Sequence, residues 1–232
     1  MPYRRLPNTD LARLRALRIA IEKGKELPPS ELAFTQGTLQ KLNSTFHTFE
    51  KTLLECRQAY NKQVYSSKAY KESLRKVKLY MSHFIQVVNM AIARGDLKPS
   101  DREFFGFSAD QKKVPAFHTE ASVIKWGEKL VDGESARMMK GLTPVTNPTI
   151  AVVKVRFEKF IESYRYQKML QKNLKRSQQI LTTLRKTVDG IILSIWNEVE
   201  QCYGHLPEQF RRNKARIYGV VYFYRKNELQ HP

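Results

Sequence analysis

From Thr38 to Arg94 the chain has neither proline nor glycine, and apolar side chains return every three or four positions along it. The series is Leu39, Leu42, Phe46, Phe49, Leu53, Cys56, Tyr60, Gln63, Ser67, Tyr70, Leu74, Val77, Met81, Phe84, Val88 and Ala91, in which only Gln63 and Ser67 are clearly polar. Alternate steps of three and four keep such residues on one face of an α-helix. The pattern predicts one continuous helix of about 60 residues, on the order of 90 Å long. The rival is a pair of shorter antiparallel helices broken at Ser66-Ser67, and a break there gives no reason for the phase to survive it. Ser30 with Glu31 offers a cap and a first-turn acid, and Gly95 with Pro99 a stop.

A second seam runs Val153, Phe157, Phe160, Tyr164, Gln167, Gln171, Leu174, Gln178, Leu181, Arg185, Val188, Ile192, Ile195, Val199 and Cys202. It opens at Asn147-Pro148, read as cap and first helical position, and closes at Gly204 and Pro207. Its ends are apolar and its middle is polar. Two long amphipathic helices of similar length can cover each other's apolar faces. The expected fold is therefore all-α: an elongated bundle built on two long, heptad-patterned antiparallel helices, with short helices beside them and a small β element near the C-terminus.

The short helices follow from local signals. Thr9-Asp10 opens one that Gly24 and Pro28-Pro29 stop; Thr119-Glu120 opens another that reaches Met139 and contains Gly127 and Gly133, marks of a kink or of close packing; Glu208 to Arg216 forms a third. Residues 99–118 read as an irregular aromatic connector lying over a bundle end, with Phe104, Phe105, Phe107 and Phe117. Residues 217–224 read as a β-strand needing a partner, either 104–107, 114–117 or the same strand of another subunit. The whole chain, 1–232, reads as one domain. Its halves, 1–112 and 113–232, share the order short helix, long helix, aromatic–glycine element, and Gly106 and Gly219 stand 113 residues apart, the layout of an internal duplication.

Composition bears on partners. The 232 residues include 41 Lys and Arg against 22 Asp and Glu, a formal charge of +19, beyond the magnitude of roughly 2–8 that solubility asks of a small domain. Nucleic acid, anionic lipid or an acidic protein are the partners such a charge attracts. No run approaches the ~20 apolar residues of a membrane span, so no integral membrane association is expected. Two cysteines make no disulfide framework, and the first residues have no signal-peptide pattern. A cytoplasmic location is the expectation.

The charge is concentrated. Between Glu55 and Asp96 the only acid is Glu72, against Arg57, Lys62, Lys68, Lys71, Arg75, Lys76, Lys78 and Arg94. Between Glu162 and Asp189 there is no acid, against Arg165, Lys168, Lys172, Lys175, Arg176, Arg185 and Lys186. Residues 97–150 are nearly neutral, with 8 bases to 7 acids. Both basic runs coincide with the polar stretches of the seams, and Tyr60, Tyr65, Tyr70, Tyr164 and Tyr166 are interleaved with them. Cations that neutralise phosphates beside rings that stack on bases are what sequence-tolerant nucleic-acid binding requires. Arg211, Arg212, Lys214 and Arg216, followed by Arg225 and Lys226, form a second basic cluster. The competing reading is structural: polar seam positions fix register or oligomeric state, and Lys or Arg stems cover apolar surface.

Catalytic motifs are not found. The chain has no Gly-x-Gly-x-x-Gly, Walker A or Gly-x-Ser-x-Gly element, and its one His-x-x-Glu, His47 to Glu50, reverses the di-iron order. Its other histidines lie far apart, Cys56 and Cys202 fall on the seams as small buried hydrophobes, and Trp126 and Trp196 read as core aromatics. No enzyme activity, cofactor or metal is expected.

The segments Met1 to Asp10, Ile195-Trp-Asn-Glu-Val-Glu200 and Tyr218-Gly-Val-Val-Tyr222 resemble, over the whole chain, a group of uncharacterised bacterial all-helical proteins. The resemblance implies a bacterial intracellular setting and brings no activity or site with it. The function expected from the residues is non-enzymatic, electrostatic binding of DNA or RNA. The alternatives are a coiled-coil scaffold or oligomerising interaction module, and a peripheral binder of anionic membrane.

Overall fold

The computed structural model describes residues 2–224. Strand β1 (Tyr3–Arg4) is followed by helix α1 (Asp10–Glu26), helix α2 (Gln36–Arg94), a 3-10 helix (Pro99–Phe105), α3 (Glu120–Met139), α4 (Ile150–Cys202), α5 (Glu208–Ile217) and strand β2 (Tyr222–Phe223). The first seam is one unbroken helix of 59 residues, running through Ser66-Ser67. The all-α fold with two long helices is as the periodicity requires.

The chain divides into two compact units, and α2 and α4 each contribute to both. Unit 1 takes residues up to Tyr60 and from Asn173 onward; unit 2 is Asn61–Lys172. In unit 1, Leu17 and Ala20 of α1 and Leu42, Phe46 and Phe49 from the start of α2 are buried with Val188, Ile192, Ile195, Trp196 and Val199 from the end of α4. In unit 2, Val77, Met81, Phe84 and Val88 from the end of α2 are buried with Val153, Phe157 and Phe160 from the start of α4, beside Val123 and Leu130 of α3. Starts meet ends in both units, so the long helices run antiparallel.

Two glycines 113 residues apart make the same turn. Gly106 and Gly219 have φ of 77° and 85°, the left-handed region that glycine enters without a Cβ penalty. In one, Phe107 N–H donates to Arg102 O and Gly106 N–H to Glu103 O; in the other, Val220 N–H donates to Ala215 O and Gly219 N–H to Arg216 O. Their flanking residues, Phe105 and Phe107 or Tyr218 and Val220, are buried in each case. Along the long helices the buried set Val77, Met81, Phe84, Ile85 and Val88 recurs 111 residues later as Val188, Ile192, Ile195, Trp196 and Val199.

Several element boundaries differ from the sequence expectations. α1 runs past Gly24 to Glu26; a Cβ on Gly24 would lie 2.6 Å from Leu39, so this glycine serves a close approach. α2 begins at Gln36, with the Thr35 hydroxyl accepting from Thr38 N–H at 3.3 Å, because Leu32, Ala33 and Phe34 are buried in an irregular segment that Ser30 does not cap. α4 begins at Ile150 after a turn over 146–149; Asn147, at φ 63°, is part of that turn and not the cap. The strand expected over 217–224 shrinks to two residues, since Ile217 ends α5 and Gly219 turns the chain. Its partner is neither 104–107 nor 114–117: β2 pairs antiparallel with β1, Tyr3 opposite Phe223 and Arg4 opposite Tyr222. Cys202 is exposed and Cys56 half-buried, while Leu170 and Trp196, both off the seam, are buried. A helix with 3.6 residues per turn drifts from a strict 3.5 repeat over 53 residues, which moves the buried stripe.

Candidate nucleic-acid interface

In unit 2 the basic residues of α2 fall into a stripe. Lys68, Lys71, Arg75 and Lys78 follow one another at steps of three, four and three, and so share a helix face. Ser73, Val77 and Met81 occupy the buried face. Lys68, Lys71 and Arg75 are exposed, Lys78 is half-exposed, and none of the four forms an ion pair among the described residues. Lys62 is exposed outside that stripe. Lys76 is taken by Glu72 at 2.6 Å, and the ammonium group holds the Glu72 carboxyl below its usual range.

On α4 the exposed residues Arg165, Lys168 and Lys172 follow at steps of three and four. The Lys168 ammonium lies 5.3 Å from the Tyr164 ring centroid, a cation–π distance. Glu120, the first residue of α3, lies in the field of Lys168 and Lys78. Tyr70 donates its hydroxyl hydrogen to Glu120 Oε1 at 2.8 Å. This hydrogen bond, then the one Glu120 accepts from its own backbone N–H, and more weakly the field of Lys168 and Lys78, lowers the Glu120 pKa; burial, then the hydrogen bond, raises that of Tyr70.

The tyrosines separate into two groups. Tyr70 is stacked on Phe160 at 6.3 Å and tilted against Tyr164 at 6.5 Å, so those two rings belong to the packing of unit 2 and are not free platforms. Tyr65 is 89% exposed and Tyr166 50%. In unit 1, Tyr60 is also exposed.

The face of unit 2 is not uniformly positive. Arg165 lines a groove of ≈ 530 Å³ together with Glu128, Glu158 and Glu162 over Phe157 and Ile161. Glu158 and Glu162 stand one turn apart on α4, and α3 brings Glu128 to them from 30 residues away, a meeting that charge runs along the chain do not reveal.

In unit 1, Arg57, Lys175 and Arg176 are exposed. On α5, Glu208 engages Arg212 at 2.8 Å and Arg211 at 3.9 Å, and Arg216 donates to the Tyr224 hydroxyl oxygen at 3.3 Å. Lys214 is exposed without an ion-pair partner among the described residues. Arg225 and Lys226 lie outside the described residues. Arg185 is taken up structurally: its guanidinium donates to both carboxylate oxygens of Asp10 at 2.7 and 2.6 Å, while Arg13 donates to both of Asp189 at 2.7 and 2.9 Å. These hydrogen bonds raise both guanidinium pKa values. The sequence offers no periodic signal for two forks joining residues some 175 positions apart.

Also unforeseen is a cavity of ≈ 290 Å³ in unit 1, lined by residues of 5–19, Trp196 and 219–223. Its one trace in the sequence is the pair Ala12 and Ala16, small residues a turn apart on α1. Among the described residues no cluster of three or more His, Cys, Asp or Glu is placed to hold a metal ion, and no helix is long and apolar enough to cross a membrane.

No protein-family model matches the chain, and no curated protein and no solved structure matches it significantly.

Proposed function

We propose that the protein is a non-enzymatic, cytoplasmic binder of nucleic acid, gripping the phosphate backbone through the basic faces of α2 and α4 within unit 2. The observation that carries this reading is the α2 stripe: Lys68, Lys71, Arg75 and Lys78 at helical spacing, solvent-accessible and without ion pairs among the described residues. Unpaired cations in a row neutralise phosphates and release counterions, which gives affinity without reading bases. Arg165, Lys168 and Lys172 extend the positive surface onto α4, and Tyr65 is the ring most available to stack on an unpaired base. Lys62 within unit 2, and Arg57, Lys175, Arg176, Arg211, Arg212, Lys214 and Arg216 within unit 1, supply weaker interactions with phosphate.

The test is a titration with duplex and single-stranded DNA and with RNA at two salt concentrations. Affinity that falls steeply with salt supports the reading; no binding at low salt, or affinity indifferent to salt, overturns it. Substituting Lys68, Lys71 and Arg75 together by Gln reduces the slope of log affinity against log salt on duplex DNA by roughly 0.9 for each phosphate left without its cation. Tyr65→Ala weakens single-strand binding while leaving duplex binding unchanged. Anionic liposomes in the same assay separate a phosphate surface on lipid from one on nucleic acid.

A second reading, an oligomerising scaffold, draws support from half-exposed apolar residues on the long helices, Val64 and Met169 among them. A second copy covering them would appear in sedimentation as a concentration-dependent mass, and that mass without nucleic-acid affinity favours the scaffold.

A further inference from the structure

We propose that the cavity of unit 1 is a binding site for a small amphipathic anion, a compound with a flat apolar body and one carboxylate. This goes beyond the nucleic-acid reading and does not depend on it. The cavity of ≈ 290 Å³ lies at the lower edge of the roughly 300–1,000 Å³ that ligand pockets occupy, so its occupant is small.

The shape has a cause in the sequence. Ala12, Ala16 and Ile19 recur on one face of α1 and form one wall. Two alanines where larger side chains would close the gap leave the space open. Trp196, 2% exposed and part of the unit 1 core, borders this space and makes its lining aromatic as well as aliphatic.

The charge around this apolar space is of one sign. Arg5 and Arg15 line it, and no acidic residue does. Both are exposed, and neither forms an ion pair among the described residues. The Arg5 guanidinium stands 5.2 Å from the Phe223 ring centroid, and its backbone N–H donates to Val221 O at 3.1 Å, which ties Arg5 to the cavity's far wall. Arg15 comes from the α1 wall, between Ala12 and Ile19. A planar guanidinium fork binds a carboxylate through two parallel hydrogen bonds. An apolar floor with two unpaired forks therefore selects an anion with an apolar body, over a bare phosphate or a neutral hydrocarbon.

Trp196 reports occupancy directly. The chain has two tryptophans, and Trp126→Phe leaves Trp196 as the single indole emitter. In that background, titration with 2-naphthoate is expected to change Trp196 emission saturably, with 2-naphthamide and inorganic phosphate each weaker by about tenfold or more, the factor one charge-assisted hydrogen bond carries. Arg15→Gln, at an exposed residue without an ion pair among the described residues, weakens naphthoate by a similar factor. Ala16→Leu fills the cavity and abolishes the change while far-UV helicity is retained. The Lys68, Lys71 and Arg75 to Gln variant keeps full naphthoate affinity, which separates this site from the proposed nucleic-acid surface. No saturable change, equal affinity for acid and amide, or indifference to both Arg15→Gln and Ala16→Leu would overturn the proposal.

Discussion

The Tyr70 phenol donates to a carboxylate, Glu120, whose charge Lys168 and Lys78 already favour. The Glu120 pKa is lowered, so its contribution to stability is present above the ordinary carboxylate value of about 4.3 and is lost as pH falls through the folded value. The Tyr70 pKa is raised, so its contribution is present below about 10 and is lost as pH rises through the folded value. Tyr70→Phe is thus expected to cost about 1 kcal/mol near neutrality, by urea denaturation, and the gap from the unsubstituted chain narrows in acid. A gap that persists unchanged at low pH would assign the loss to ring packing. Glu134 and Arg137, both 0% exposed, are the other polar pair with consequences. Glu134 accepts from Arg137 at 2.6 Å and from Val145 N–H at 2.6 Å, and Arg137 also donates to Thr143 O at 3.2 Å. Arg137→Met leaves two buried carboxylates, Glu134 and Asp101, which lies 3.7 Å from the guanidinium, without their cation and should cost about 3–5 kcal/mol, whereas adding Glu134→Leu removes one of the two and restores part of that. A double variant no more stable than the single one contradicts this coupling. Neither pair announces itself in the sequence, because tertiary structure supplies one partner or the backbone groups.

Helices are where the sequence is most legible. α2 and the body of α4 follow from spacing alone, since a 3–4 seam without proline over more than fifty residues admits few other structures. Their starts differ from the local signals because Ser30-Glu31 and Asn147-Pro148 are overridden by tertiary burial, at Leu32–Phe34 and at the Glu134-bound Val145. β2 is shorter than its composition suggests because β-branched and aromatic residues favour a strand, while Gly219 sets where the backbone turns. The basic stripes are legible as positions on helices, but the capture of Tyr70 and Tyr164 by packing is not. Glycines within helices divide by what surrounds them. A Cβ on Gly133 would meet the Phe104 carbonyl oxygen at 2.4 Å, a backbone atom that cannot rotate away, whereas nothing lies within 4 Å of one on Gly190. Gly190→Ala should stabilise by roughly 0.5–1 kcal/mol through helix propensity. Gly133→Ala should destabilise despite the same gain, and thermal denaturation of the two variants checks the sign of each.

On the scale of the whole molecule, +19 charges repel one another in any compact state. Raising ionic strength from about 0.01 M to 0.15 M shortens the screening length from about 30 Å to about 8 Å. The urea midpoint should therefore rise over that range, although individual ion pairs such as Glu72–Lys76 weaken; a falling midpoint would mean that pairs outweigh the net charge. The two units also differ in how the chain supplies them. Unit 2 is one uninterrupted stretch, Asn61–Lys172, while unit 1 needs residues from both sides of it. During synthesis, unit 2 has all its residues once Lys172 has left the ribosome. Leu17, Leu42 and Phe49, made early, wait for Val188 to Val199 to cover them, and Tyr3 waits for Phe223. The apolar faces of α1 and of the start of α2 are thus the stretches that a nascent chain leaves without their α4 cover longest, and the ones for which a ribosome-associated chaperone has most use.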